Sequence, residues 1–160
     1  MKADTSTTRY ANQSMVAVLN KRQLILVTDL DKSEWDAKTS DIWEFALDNY
    51  EVYGIFNHGQ LVSLLAGVIN ASRFDVFRVV TAAPFRKRGY SRELFEHVAK
   101  LHPGIPLQMS IPEHRIGTMD SDDLKGWLNK LGFTYLKTIK DDCEAYGKKW
   151  DYFVFTTKKR

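Results

Sequence analysis

The stretch from Phe74 to Leu101 constrains the fold more than any other part of the chain. It opens on Phe-Asp-Val-Phe-Arg-Val-Val-Thr, dense in aromatic and β-branched residues, which predicts a strand over Phe74–Thr81. Pro84 ends that strand, because proline has no N–H to give to a ladder. A helix is expected after Gly89. Tyr90, Leu94, Val98 and Leu101 recur at helical spacing as one apolar face, and Pro103-Gly104 stops it. Between strand and helix lies Arg86-Lys87-Arg88-Gly89-Tyr90-Ser91. A helix N-terminus carries unpaired N–H groups and a partial positive charge, which favours an anion there. Gly89 lets the backbone approach such an anion, and Ser91 is small and carries a hydroxyl. Arg86, Lys87, Arg88 and Arg92 add positive charge around the same point. The chemistry suits a pyrophosphate. A merely solvated basic loop is the plain alternative, since strand, glycine turn and helix recur throughout α/β proteins.

Arg-x-x-Gly-x-Ser in this setting resembles the acyl-CoA pyrophosphate loop of the GCN5-related N-acetyltransferases (GNAT), which reads Arg/Gln-x-x-Gly-x-Gly/Ala; Ser91 stands where Gly or Ala is usual. Trp127-Leu128-Asn129-Lys130-Leu131-Gly132-Phe133 resembles the helix end and Gly-Phe that close the family's second CoA-facing segment. The resemblance runs from about Leu24 to Thr157. It implies an α/β (α+β) fold: a mixed, mostly antiparallel sheet of six to seven strands flanked by helices, with a splayed central strand pair. The pantetheine arm of CoA lies in that opening. It further implies acetyl-CoA as co-substrate, no metal, and direct transfer of an acetyl group to a primary amine. The acceptor is a small molecule or a protein lysine or N-terminus.

Composition is compatible with this. The chain has 160 residues, 44% apolar and 12% aromatic, which suggests one globular domain rather than a disordered chain. The net charge of +3 sits in the segment from Lys137 onward, a basic end that gives only weak support for nucleic acid. A lone cysteine, Cys143, excludes an internal disulfide and a cysteine-based metal site, and fits a reduced, cytoplasmic setting. Asp142 and Glu144 beside it argue against a nucleophilic thiolate. The four histidines show no metal-ligand spacing. No apolar run approaches the ~20 residues of a membrane span, and no secretory layout opens the chain. A monomer or homodimer is expected.

In order, Met1–Ser14 is polar and expected to be mobile, and residues 158–160 form a basic tail. Leu24–Val27 is taken as the family's first strand. Met15–Leu19 is an added strand turned by Asn20-Lys21. Asp31–Tyr50 reads as helix, in one or two pieces, capped at Ser33/Asp36 and Asp41/Glu44, with Trp35, Ile42, Phe45, Ala46 and Tyr50 as its buried stripe. Glu51–Phe56 and Gln60–Ala71 are strands joined at Asn57-His58-Gly59, and Ser72-Arg73 turns the chain into the central strand. Pro106–Ile111 is a short strand, and Glu113, His114 and Arg115 follow in a loop. Asp120-Ser121 caps a helix burying Leu124, Trp127, Leu128 and Leu131, which Gly132 ends. Phe133–Ile139 and Tyr152–Thr157 close the sheet as a hairpin. The charged Lys140–Asp151 between them is expected to be a long loop and, from the resemblance, to help shape the acceptor pocket.

The resemblance distributes the chemistry. The Arg86–Ser91 loop anchors CoA, and a backbone N–H near Thr81 or Ala82 polarises the thioester carbonyl. Histone-type members carry an acidic residue early on the central strand. Counting back from Arg86 places it at Asp75, the base candidate, with Glu51 and Glu113 as weaker ones. Alternation puts Asp75, Phe77, Val79 and Thr81 on one face. The bland reading of Asp75 is a strand-end carboxylate in water. Many members place a tyrosine acid four residues before the Gly of Gly-Phe. Here that position is Leu128, which has no proton to give, and the asparagine seven residues earlier is replaced by Ser121. Tyr135 or Tyr146 are stand-ins. His58 is expected in a turn, His97 on a solvated helix face, His102 at the helix end. The missing tyrosine sustains a second reading, a non-catalytic protein of this fold that docks a protein or nucleic-acid partner.

Overall fold

A computed structural model describes residues 16–34, 40–112, 121–143 and 147–155. The β-branched and aromatic runs assemble into one seven-stranded sheet: β1 (Val16–Val18), β2 (Glu51–Asn57), β3 (Gln60–Asn70), β4 (Arg73–Thr81), β5 (Leu107–Pro112), β6 (Thr134–Cys143) and β7 (Gly147–Phe155). Their order across the sheet is β1-β2-β3-β4-β5-β7-β6. Every neighbouring pair is antiparallel except β4 and β5. The helices are α1 (Leu24–Glu34), α2 (Ser40–Asn49), α3 (Tyr90–Leu101) and α4 (Ser121–Leu131). The mixed, mostly antiparallel sheet flanked by helices is the one expected.

One face of the sheet packs α3 and α4 over Phe74, Leu94, Phe95, Val98, Leu107, Leu128 and Phe133. The other packs α1 and α2 over Val27, Trp43, Ala46, Val52, Leu64 and Val80. Burying a side chain of the size of Phe95 or Leu128 contributes about 1.5–3 kcal/mol.

Two features of β4 position the site. The first is the splay. β4 and β5 pair only at Phe74–Leu107 and Asp75–Gln108, although β4 runs on to Thr81 and β5 to Pro112. The second is a bulge. Gly67 on β3 faces Val76 while Ala66 faces Arg78, so Phe77 is an extra residue on β4. A bulge shifts the side-chain alternation by one. Phe77 and Arg78 therefore both turn toward α1 and α2. Phe77 meets Trp43 and Tyr50 edge-on at 6.1 and 5.6 Å, and Arg78 pairs with the buried Asp31 at 3.1 Å. Beyond the bulge, Val79 joins the core under α3 and Thr81 bonds Ser91 of α3. Asp75 and Phe77 thus lie on the opposite face from Val79 and Thr81, which corrects the uninterrupted alternation expected from the sequence. Gly67 permits the close approach: a Cβ there would lie 2.5 Å from the Asp75 carbonyl oxygen and 2.3 Å from Phe74.

Other expectations are corrected too. Leu24–Val27 is the first turn of α1, and the first strand is Val16–Val18. The cause is local: Asn20 accepts from the Arg22 N–H and Gln23 from the Asn20 N–H, a capping box that opens a short 3₁₀ turn leading into the helix. Ser33 is no cap; its hydroxyl bonds the Leu30 carbonyl within α1. In α2 the buried residues are Trp43, Ala46 and Leu47, while Ile42 and Phe45 are exposed. Leu101 is exposed at the end of α3, where Phe95 and Ala99 complete the apolar face instead. The expected Lys140–Asp151 loop is largely strand, paired from Lys140–Lys149 to Cys143–Gly147. β6 is an edge strand, where charged residues guard against further pairing, so its polarity misleads. The turns at His58-Gly59, with φ of 50° and 81°, and at Gly132, with the Phe133 N–H bonding the Leu128 carbonyl, are as expected. Met1–Ser14, Trp35, Asp36, Glu113, His114, Arg115, Asp120, Tyr146 and residues 158–160 lie outside the described residues.

Candidate functional site

The site is built where β4 hands over to α3. Gly89, at φ 85°, precedes the first helical residue and offers no side-chain cap; the first helical bond runs from the Glu93 N–H to its carbonyl. The N–H groups of Tyr90, Ser91 and Arg92 are therefore those a helix leaves unpaired at its start. A Cβ on Gly89 would have nothing within 4 Å, and Gly89, Tyr90, Ser91 and Arg92 all line one cavity. Lys87 also adopts a left-handed conformation, φ 65°, and the loop curls around that cavity. Its volume is about 520 Å³, and it is walled by Val79, Thr81, Phe85, Gly89, Ser91 and Trp127, among others. Six of the nine predicted CoA contacts, Thr81, Arg86, Lys87, Gly89, Tyr90 and Ser91, line this cavity. Of the rest, Arg88 turns its guanidinium over the Phe85 ring at 4.9 Å, and Ser121 is the first residue of α4.

The basic residues divide by role. Arg86 pairs with Glu34 at the end of α1 and gives its Nε–H to the Thr81 carbonyl at 3.2 Å. Glu34 is buried, lines the cavity, and also accepts the Ala83 N–H at 3.2 Å. Arg86, expected at the phosphate site, is thereby tied to α1 and β4 and also lines the cavity. Arg92 gives its guanidinium to the Lys130 and Leu131 carbonyls at 2.9 and 3.4 Å, closing the end of α4. Lys87 and Arg88 remain exposed at the rim. Glu34 is a site residue the sequence did not reveal; only the meeting of α1 with the β4–α3 loop gives it a partner.

Hydroxyls line the junction. Ser63 and Thr81 lie 2.7 Å apart, and Thr81 and Ser91 3.1 Å apart. The Ala82 N–H is engaged by the Val62 carbonyl at 2.9 Å. Antiparallel alternation then turns the Val79 and Thr81 N–H groups the other way, toward the opening that β5 leaves. Of the two expected carbonyl-polarising donors, the strand register aims Thr81 there and not Ala82, and adds Val79.

Asp75 lies elsewhere. It sits at the closed base of the splay, opposite Gln108, and lines a second cavity of about 590 Å³ that shares no residue with the first. Gln108 and Asn70 each give an amide N–H to its carboxylate, at 3.2 and 3.1 Å. The first cavity lies at the end of β4 beside α3, and the second at its start beside the β3–β4 turn. The weaker base candidate, Glu51, lines neither cavity: it accepts from Tyr53 and faces the His102 Nε2 at 2.8 Å, near the C-terminus of α3. Burial and this carboxylate push the Tyr53 phenol well above its ordinary value. His97 is half-buried against Tyr53 rather than solvated, and burial, then Lys100, lowers its pKa. Leu128 is fully buried in the core, so the position of the family's tyrosine faces no cavity. Tyr135 is exposed on β6, with its hydroxyl on Thr138, and lines neither cavity. No helix among the described residues is long and apolar enough to cross a membrane.

No protein-family model matches the chain, and no curated protein matches its sequence. Solved structures do. A candidate acetyltransferase of the GNAT family from Desulfovibrio desulfuricans aligns at a TM-score of 0.74 and 12% identity, covering 89% of this chain and 98% of that one. The ribosomal-protein-S18-alanine N-acetyltransferase of Escherichia coli aligns at 0.69 and 10%, covering 91% and 96%. An aminoglycoside 6'-N-acetyltransferase complexed with coenzyme A aligns at 0.74 and 12%, covering 91% and 98%. At such identities the likeness is one of architecture: the chain has the GNAT fold, splayed strand pair included.

Proposed function

We propose that the chain is an acetyl-CoA-dependent N-acetyltransferase acting on a primary amine by direct attack. The observation that carries this is the parting of β5 from β4 after two residue pairs, beside an uncapped helix N-terminus whose first residues line a cavity. The first gives a thioester a place between strands. The second gives a pyrophosphate its donors.

Residue roles follow from the geometry. The pyrophosphate sits at the N–H groups of Tyr90, Ser91 and Arg92, with Lys87 and Arg88 at the rim. Arg86 and Glu34 hold the loop in shape. The pantetheine arm runs past Val79, Thr81 and Trp127. The thioester carbonyl accepts from the Val79 or Thr81 N–H, where negative charge develops. The amine approaches from the Asp75 side and passes its proton through water to Asp75, which stands about 10 Å or more along β4 from the Val79 N–H and is held in place by Gln108 and Asn70. Its nitrogen bonds to the carbonyl carbon, the carbon–sulfur bond breaks, and CoA leaves as thiolate. A thiol with an ordinary pKa near 8.5 departs without a dedicated acid and takes its proton from water. That accommodates Leu128.

The test is calorimetric titration of the purified chain with acetyl-CoA, CoA, dephosphorylated pantetheine and acetate, followed by thiol-release assays on an amine panel. Micromolar binding that requires the pyrophosphate is expected. No binding of any CoA species overturns the proposal. A second reading has one observation in its favour: Arg86, the motif's first residue, is engaged by Glu34. A fold kept for docking a partner would bind no CoA, so the same titration separates the two.

A further inference from the structure

The second cavity speaks to the class of acceptor, and this inference rests on the acetyl-transfer reading above. The groove is lined by strands β4, β5, β6 and β7 and by the β3–β4 turn. It presents one acid and two bases. Asp75 stands at its base beside the splay. Arg73 stands just before it on the same strand, β4, and Lys137 stands on β6, across β5 and β7. Lys137 is steadied over the Tyr152 ring, 5.8 Å from its centroid. Arg73 does not bond Asp75. It gives Nη1–H to the Gln108 Oε1 at 2.9 Å, and the same amide gives Nε2–H to Asp75 at 3.2 Å. The nearly buried Gln108 is therefore a spacer that keeps the opposite charges apart and leaves each facing the groove. Ile139 and Tyr152 add apolar surface between them.

We propose that this groove takes a small amine that also carries a carboxylate, an amino-acid-like zwitterion. Its amine lies at Asp75 and its carboxylate between Lys137 and Arg73. A polycationic amine would meet two cations for one anion, and a simple anion would meet Asp75. Only a ligand with both charges answers both ends, so the arrangement selects by repulsion as well as attraction. The amine end lies at the closed base of the splay, the end of the groove nearer the expected thioester.

The test uses the full chain saturated with CoA. Glycine, lysine, methionine, phenylalanine and glutamate are titrated against their C-terminal amides, with binding read by calorimetry. At least one free acid is expected to bind about tenfold or more tightly than its amide. Lys137→Ala should reduce that preference severalfold, and Lys137→Glu should invert it. Equal binding of acids and amides, tighter binding of the amides, no binding of any acid, or a preference that survives Lys137→Glu overturns the proposal. The titration with CoA alone reports separately on the acetyl-transfer reading. A chain that binds CoA and ignores the zwitterions refutes the acceptor class and leaves that reading standing.

Discussion

The two cavities that flank the splay are made of different material. On the α3 side the donors assigned to the ligand are backbone, the N–H groups at the start of α3 after the left-handed Gly89 and the amides of Val79 and Thr81, while Arg86 and Arg92 are engaged with Glu34 and with the end of α4. On the other side the polar groups are side chains: Asp75, Gln108, Asn70, Arg73 and Lys137. A backbone site tolerates many side chains and demands only a few special ones, such as a glycine. A side-chain site depends on every residue and on the strand register that aims them. The first suits a ligand common to a whole fold, the second a ligand particular to one protein.

This contrast can be broken experimentally. The largest effect should come from Asp75→Asn, which touches only the side-chain site. Turnover at neutral pH is expected to fall by about 10²–10⁴-fold, with acetyl-CoA affinity nearly unchanged; equal turnover in steady-state assays removes Asp75 from the mechanism. Gly89→Asp touches only the backbone site. It places a carboxylate before the unpaired N–H groups and forces a side chain into a left-handed conformation. CoA affinity should drop by about 100-fold or more, close to 2.7 kcal/mol, with a stability cost of about 1 kcal/mol from the backbone alone. Gly67→Ala attacks the bulge that separates the two. Its Cβ would collide with Phe74 and the Asp75 carbonyl, so denaturant unfolding should show a loss of about 1–3 kcal/mol and both activities should suffer. Leu128→Tyr tests whether the family's acid can be restored. The residue is fully buried, so a loss of about 1–3 kcal/mol without gain in turnover is expected.

The smallest effect concerns neither cavity. His97 is lowered by burial and by Lys100, so the folded chain binds fewer protons than the unfolded one just below pH 6.5. Its contribution to stability is therefore complete above the ordinary value of 6.5 and is lost as pH falls through the lower native value. His97→Gln should flatten that part of a stability–pH curve and leave the pH profile of turnover alone.

The same contrast decides what was legible beforehand. The strand, loop and helix around Gly89 were readable because Pro84, Gly89 and Pro103-Gly104 punctuate the chain by local stereochemistry. So was the Schellman turn at Gly132. The bulge at Phe77 leaves no mark in composition, yet it alone decides which face Asp75 and Thr81 occupy. Glu34 and Asp31 were invisible for a related reason: their partners Arg86 and Arg78 lie far along the chain. The Leu24–Val27 run misled because four apolar residues fit a strand or a helix, and the capping box of Asn20 and Gln23 decides for the helix. The β6–β7 pairing was hidden by charges that an edge strand accommodates.

The splay is expected to join a CoA site beside α3 to an acceptor site at Asp75. Backbone-amide NMR of the labelled chain tests it directly, by titrating first acetyl-CoA and then an amine acceptor identified from the panel. Acetyl-CoA is expected to shift the resonances of Val79, Thr81, Gly89, Tyr90 and Ser91, and the acceptor then those of Asp75, Gln108 and Tyr152. Acetyl-CoA shifts centred on Asp75 and Tyr152, or no shifts around Gly89, would contradict it.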